Sequence, residues 1–206
     1  NSIKSPEIYL NEMRIIKSEF EIKRMREAIQ ISAEAHELVR ESITSKNNER
    51  QVQGILEGFF LEKGARGPAY NSIVASGDNA CILHYTSNNS PLNKGELLLV
   101  DAGCSLTDYY NGDITRTIPI GGKFSDEQKV IYEIVLSAQK TAIQSAIIGS
   151  NSSTVHNVAL TILVEGLKEI GLLSGSTEEI IENQSYKHLY MHRTGHWLGL
   201  DVHDVG

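Results

Sequence analysis

The segment "ELLLVDAG" (96–103) restricts the fold more than any other part of the chain. Four consecutive aliphatics, Leu97 to Val100, run straight into Asp101 and a glycine, which reads as a strand buried on both faces. Such a strand needs other layers to cover it, and the flanking sequence supplies them. Helical periodicity begins at Ser18, where Ser18 and Glu21 match a capping box. Ile22, Met25, Ile29, Ala33, His36 and Val39 then carry an apolar stripe to about Ile43. A second helix is predicted from Asn48, with Val52, Ile55, Phe59 and Phe60 inward and Gly64 as its stop.

Short strands follow: "NSIVAS" (71–76) and "CILHY" (81–85) around the turn Gly77-Asp78-Asn79, then "ELLLVDAG" and "YNGDITRTIPI" (110–120), joined by a turn. A third helix opens at the capping pair Ser125 and Gln128 and runs to Gly149. A fourth spans about Ser153 to Ile170, and a short one covers residues 177–183. The closing stretch "MHRTGHWLGLDVHD" (191–204) reads as strand-like with glycine breaks. Helices, strands, helices, strands in this order predict an α+β fold, with helices packed on one face of an antiparallel sheet. The two halves share a helix–helix–strands plan, a weak sign of duplication.

Composition sets limits on function. At 206 residues the chain is long enough for one ordinary domain or two small ones. A net charge of −7 disfavours nucleic acid as a partner. No apolar run approaches the roughly 20 residues of a membrane span. Cys81 and Cys104 are too few for a disulfide framework, so a reducing, cytoplasmic setting is expected.

The chemistry concentrates in three places. Asp101 ends the aliphatic strand. In "GDITRT", alternation puts Asp113, Thr115 and Thr117 on one face and Arg116 with Ile118 on the other. If the two strands pair, Asp101 and Asp113 meet, and their repulsion calls for a proton or a cation between them. Taken singly, each reads as an ordinary edge-strand or turn aspartate. His192 and His196 are four apart, a metal spacing on a helix, but Gly195 argues against a helix there. Strand parity sets His196 opposite His203 unless Gly199 bends the chain. His36, His156 and His188 read as packed or surface histidines, and His84 alone is ambiguous.

Taken together, "LLLVDAG", "GDITRT" and "HWLGLDVHDVG", with "EIKRMREAIQISAEAH" and "CILHYT", resemble the proline-specific metallopeptidases of the pita-bread fold. Within that family the aminopeptidase P branch is the nearer match and prolidase the next. The resemblance implies residues 14–206 as a pita-bread catalytic domain, incomplete at its C-terminal end, with residues 1–13 as a linker segment. It implies two divalent metal ions, taken as Mn²⁺, with Asp101 as a carboxylate ligand of one, Asp113 bridging both and His196 on the other. His84, His192 and His203 would line the substrate site, and Thr115 would support the carboxylates. Cys104 would be a small core residue.

The activity implied is release of an N-terminal residue ahead of proline, through a hydroxide shared by the two ions, with prolidase as the alternative. A non-catalytic pita-bread binding module is the reading from another class. The partner is a peptide with an Xaa-Pro N-terminus, with neither nucleic acid nor membrane, and a homo-oligomer stays open. Two departures are visible. The Asp101–Asp113 separation is one residue longer than the family's hairpin, in the turn near Leu106–Tyr109. The family's two further glutamates, one of them its general base, would follow Gly206, so these 206 residues are expected to be inactive alone.

Overall fold

The computed structural model describes residues 5–206; residues 1–4 of the expected linker lie outside the described residues. The chain divides into two compact units. One holds the chain up to Lys123 together with Trp197–Gly206, and the other is Phe124–His196.

The first unit opens with α1 (Glu7–Ile15), a helix that the periodicity starting at Ser18 does not reveal. α1 buries no residue, and its apolar side chains Ile8, Tyr9, Leu10, Met13 and Ile15 are exposed. α2 (Glu19–Ser42) starts at the capping box of Ser18 and Glu21, and α3 (Glu49–Glu62) at an Asn48 cap, both as expected. The face that α2 buries is Ala28, Ile31, Ser32, Ala35, His36 and Val39. This corrects the expected stripe, since Ile22 and Ile29 are 41% and 39% exposed. The cause is close packing: small residues, not the largest apolar ones, face the neighbouring hairpin. In α3 the fully buried apolar positions are Val52, Leu56 and Phe60, while Ile55 and Phe59 are half-buried.

Five short strands follow: β1 (Gly67–Pro68), β2 (Ile73–Ser76), β3 (Leu97–Asp101), β4 (Cys104–Ser105) and β5 (Thr115–Pro119). β2, β3 and β5 form an antiparallel sheet with β3 central, and β1 pairs with β4. The register sets Asp101 opposite Ile73 on one side and Thr115 on the other. β3 is covered on one face only. Leu98 and Val100 are fully buried with Ala28, Ala35, Leu56 and Phe60 in one apolar cluster, whereas Leu97, Leu99 and Asp101 are half-buried. Burial on both faces is therefore not observed in the described residues.

"CILHY" is not a strand. Gly77–Cys81 is a 3₁₀ turn and His84 sits in a turn at φ 55°. Polar side chains of this segment reach back to the Glu49 carboxylate, which draws the chain into a loop instead of along the sheet edge. Residues 191–204 likewise form bends and turns and no strand. Within the first unit, the Asp204 amide donates to the Trp197 carbonyl (3.0 Å) and the Gly199 amide to that of Asp201 (3.1 Å). The chain thus bends at Gly199, the exception that the strand-parity reading left open.

The second unit is helical: α4 (Asp126–Ser145), α5 (Ser152–Glu169) and α6 (Thr177–Glu182). α4 opens at the expected box of Ser125 and Gln128 but ends before Gly149. Gly166 lets α4 and α5 approach, since a Cβ there would lie 2.6 Å from Ile134 Cγ2. Leu160, Val164, Leu173, Ile180 and Tyr186 form its core. No strand occurs in this unit among the described residues. No helix in the described residues is long and apolar enough to cross a membrane.

Candidate metal centre

Asp101 closes β3 and Asp113 lies two residues ahead of β5, so both sit at one end of the sheet. Two glycines make their approach possible. A Cβ on Gly103 would lie 1.8 Å from the Gly112 carbonyl oxygen, and one on Gly112 would lie 2.5 Å from Ser32 Oγ. The turn of the hairpin, at Leu106–Tyr109, is closed by the Tyr109 amide on the Leu106 carbonyl, with Tyr109 at φ 72°.

The carboxylates of Asp101 and Asp113 converge on one hydroxyl. Tyr70 Oη lies 2.6 Å from Asp101 Oδ1 and 2.5 Å from Asp113 Oδ1. A phenol has a single proton, so the Tyr70 hydroxyl is shared between two carboxylates whose mutual repulsion a proton or a cation would relieve. Asp101 is the group disposed to hold a proton. Burial pushes its pKa up and the Asp113 charge adds to this, against the lowering effect of Tyr70 and Thr115. Burial and the two carboxylates together drive the Tyr70 hydroxyl far above its ordinary range. Two hard oxygen donors converging in a half-buried site fit a divalent cation. Thr115, expected beside Asp113, is the register partner of Asp101 and hydrogen-bonds that carboxyl.

Among the described residues, no group of three or more His, Cys, Asp and Glu side chains gathers to hold a metal. Asp101 and Asp113 are brought together; His196, the last residue of the helical unit, is not joined with them in such a group.

His84 and His203 belong to the first unit. His203 lies in a segment fastened at several points. The Asn111 amide donates to the Gly199 carbonyl (3.1 Å) and its side chain to that of Leu200 (2.9 Å). Asp204, with its side chain 1% exposed, pairs with Arg14 and with Lys17 at 2.8 Å. Burial alone would raise the Asp204 pKa, but Lys17, the Val205 amide and Arg14 outweigh it and hold the carboxyl below its usual value. Asn111 thereby links the turn carrying Asp113 to the segment carrying His203.

In the helical unit, His192 lies edge-on to Tyr190 at 5.4 Å between ring centroids. Thr194 Oγ1 meets both His156 Nδ1 (2.9 Å) and Tyr190 Oη (2.8 Å). His36 is a core histidine bonded to the Ala102 carbonyl at 3.0 Å, and Cys104 is fully buried. The sequence carried no sign of Tyr70, Asn111 or Arg14. Each acts on a partner far away along the chain, where no local pattern points.

The family model described as metallopeptidase family M24 matches residues 23–206. The chain belongs to metallopeptidase family M24. This M24 chain is 48% identical over 197 residues to a Xaa-Pro aminopeptidase of Haemophilus influenzae, covering 96% of itself and 46% of that protein. It superposes on aminopeptidase P from Escherichia coli in a low-pH form with a TM-score of 0.95 and 42% identity, covering 98% of this chain and 46% of that one. A zinc-substituted Escherichia coli aminopeptidase P in complex with product gives a TM-score of 0.91 at 41% identity, over 98% of this chain and 46% of that one. The expected fold is thereby borne out: the M24 domain has the aminopeptidase P fold, of helices with small antiparallel sheets. Its family uses divalent metals. The chain spans about half the length of the curated relatives it matches.

Proposed function

We propose that this chain is part of a metal-dependent Xaa-Pro aminopeptidase, with residues 14–206 belonging to the catalytic domain. The observation that carries the reading is the convergence of Asp101 and Asp113 on the Tyr70 hydroxyl. In this reading Asp101 and Asp113 hold divalent metal, Asp113 between two ions, with His196 as a further ligand. Hard oxygen donors with one imidazole and no thiolate favour Mn²⁺. The metal, when bound, supplies activated water near neutral pH and polarises the scissile carbonyl. Thr115 orients the Asp101 carboxylate. His84 and His203 donate to the substrate carbonyl region as negative charge develops there, and His192 lines the pocket. Proline at the second position suits such a site, because an Xaa-Pro amide has no N–H for an ordinary peptidase to grip. The two free cysteines fit a cytoplasmic setting.

A prolidase would have to capture the free carboxylate that follows proline, normally with a fixed cation. Arg193, the only cation within residues 191–204, donates to Ser153 Oγ at 3.3 Å within the helical unit. That contact favours the aminopeptidase. The test uses the full-length, Mn²⁺-loaded protein, comparing kcat/KM for Gly-Pro and for a Gly-Pro-Xaa tripeptide. The tripeptide is expected to be cleaved at least as well. Strong dipeptide preference that Arg193→Ala relaxes would mean prolidase. Asp113→Asn is expected to abolish turnover without lowering the melting temperature of the metal-free protein, since it removes one of two repelling charges. Retained activity would refute the metal role.

A further inference from the structure

Glu49 is fully buried, at 0% exposed, in the first turn of α3. Burying a carboxylate is costly unless hydrogen bonds replace its water. Here five neutral donors do so. Oε1 accepts from the Ser76 amide (2.7 Å), the Ser76 hydroxyl (2.8 Å) and Asn79 Nδ2 (3.1 Å). Oε2 accepts from Tyr85 Oη (2.8 Å) and the Ser90 amide (2.9 Å). Burial pushes the Glu49 pKa up, but these donors outweigh it and the net shift is downward, so the charge is kept.

All five donors belong to one segment, residues 76–90. Ser76 is where it leaves β2 and Ser90 is where it returns. The Glu49 amide closes the return by donating to the Ser90 carbonyl at 3.0 Å. A second buried strut, Asn88, accepts from the Val74 amide (3.0 Å) and donates to the Ser72 carbonyl (2.7 Å). His84 is carried between these anchors with a left-handed backbone, φ 55°. A non-glycine residue holds that conformation when its surroundings over-determine it. The immediate neighbour of His84 is Tyr85, whose hydroxyl ends on Glu49. An apolar side chain would fill this space at lower cost, so the charged hub is explained by the loop it holds and not by the core it displaces.

The geometry points to Glu49 as a positioning residue for His84, acting through Tyr85, Asn79 and the two serines to fix the loop that presents the imidazole. This assignment rests on the reading of His84 as a substrate-facing group.

The test is a double-mutant cycle in the full-length, Mn²⁺-loaded enzyme, with kcat, KM and melting temperature measured for each variant. Tyr85→Phe removes one bond to the hub and is expected to lower kcat about tenfold with KM and melting temperature nearly unchanged. Glu49→Gln is expected to lower kcat about a hundredfold and to lower the melting temperature as well. In a His84→Ala background both further losses in kcat should disappear, because the group being positioned is gone. If Tyr85→Phe and Glu49→Gln cost the same factors with and without His84, the proposal is overturned. Wild-type turnover by His84→Ala would instead overturn the reading of His84 itself. Should Glu49→Gln not fold, the Tyr85 cycle alone decides between these outcomes.

Discussion

Asp204 shows how one side chain can hold a segment that bears candidate chemistry. Its carboxylate is almost wholly shielded and pairs with Arg14 and Lys17, one residue beyond His203. Its pKa is lowered in the folded state, so its contribution is fully present above the unfolded value of about 4 and is lost as pH falls through the folded value. Asp204→Asn leaves Lys17 partly buried without this counter-charge and leaves Arg14 paired only with the exposed Asp201. Chemical denaturation at pH 7 is expected to show a loss of about 3 kcal/mol for this variant. The difference from wild type should shrink on acidification below about pH 4. A difference that persists unchanged in acid would show that packing, not charge, holds the segment.

The element that shapes the site is the hairpin from β3 to β5, pressed against α2. Small residues permit the contact: the Cys104 amide donates to Ser32 Oγ at 3.0 Å, and Ser32 in turn bonds the Ala28 carbonyl at 2.7 Å. Gly112 faces this same surface, and a Cβ there would come 2.5 Å from Ser32 Oγ and 2.8 Å from the Ala28 carbonyl oxygen. Since the obstacle is helix backbone, the hairpin itself would have to move. Gly112→Ala is therefore expected to lower stability by about 1–3 kcal/mol, read from an unfolding curve. It should also reduce metal-dependent turnover, because Asp113 is the next residue. A variant with unchanged stability and unchanged turnover would show that this close approach is not needed.

For the whole molecule, the chain covers 46% of the Haemophilus influenzae relative, and its described residues assemble no three-ligand metal group. Affinity for a hard cation follows ligand number and charge. The 206-residue chain by itself is expected to bind Mn²⁺ weakly, with a Kd above about 10⁻⁴ M by calorimetry, and to hydrolyse no Xaa-Pro peptide. Tight binding or proline-specific turnover by the purified chain would show that the ligand set has been misassigned.

What the sequence by itself determined was the local and the periodic. The capping boxes at Ser18 and Ser125 were legible because both partners lie within one turn of helix. The meeting of Asp101 and Asp113 was legible because strand alternation and a connecting turn suffice to place them. Whether the chain bends at Gly199 was left open by strand parity, and the hydrogen bonds around Gly199 and Asp204 decided it. Tertiary structure decided the rest. Tyr70 reaches Asp101 and Asp113 across 31 and 43 residues, and Arg14 reaches Asp204 across 190. It also turned α2 onto Ala28, Ser32 and Ala35, where periodicity favoured Ile22 and Ile29, and it wound residues 81–85 into a loop around Glu49. Periodicity reports which face of an element is apolar. Which residue is small enough for another backbone to touch, and which donors a buried carboxylate collects, is settled only when distant segments pack.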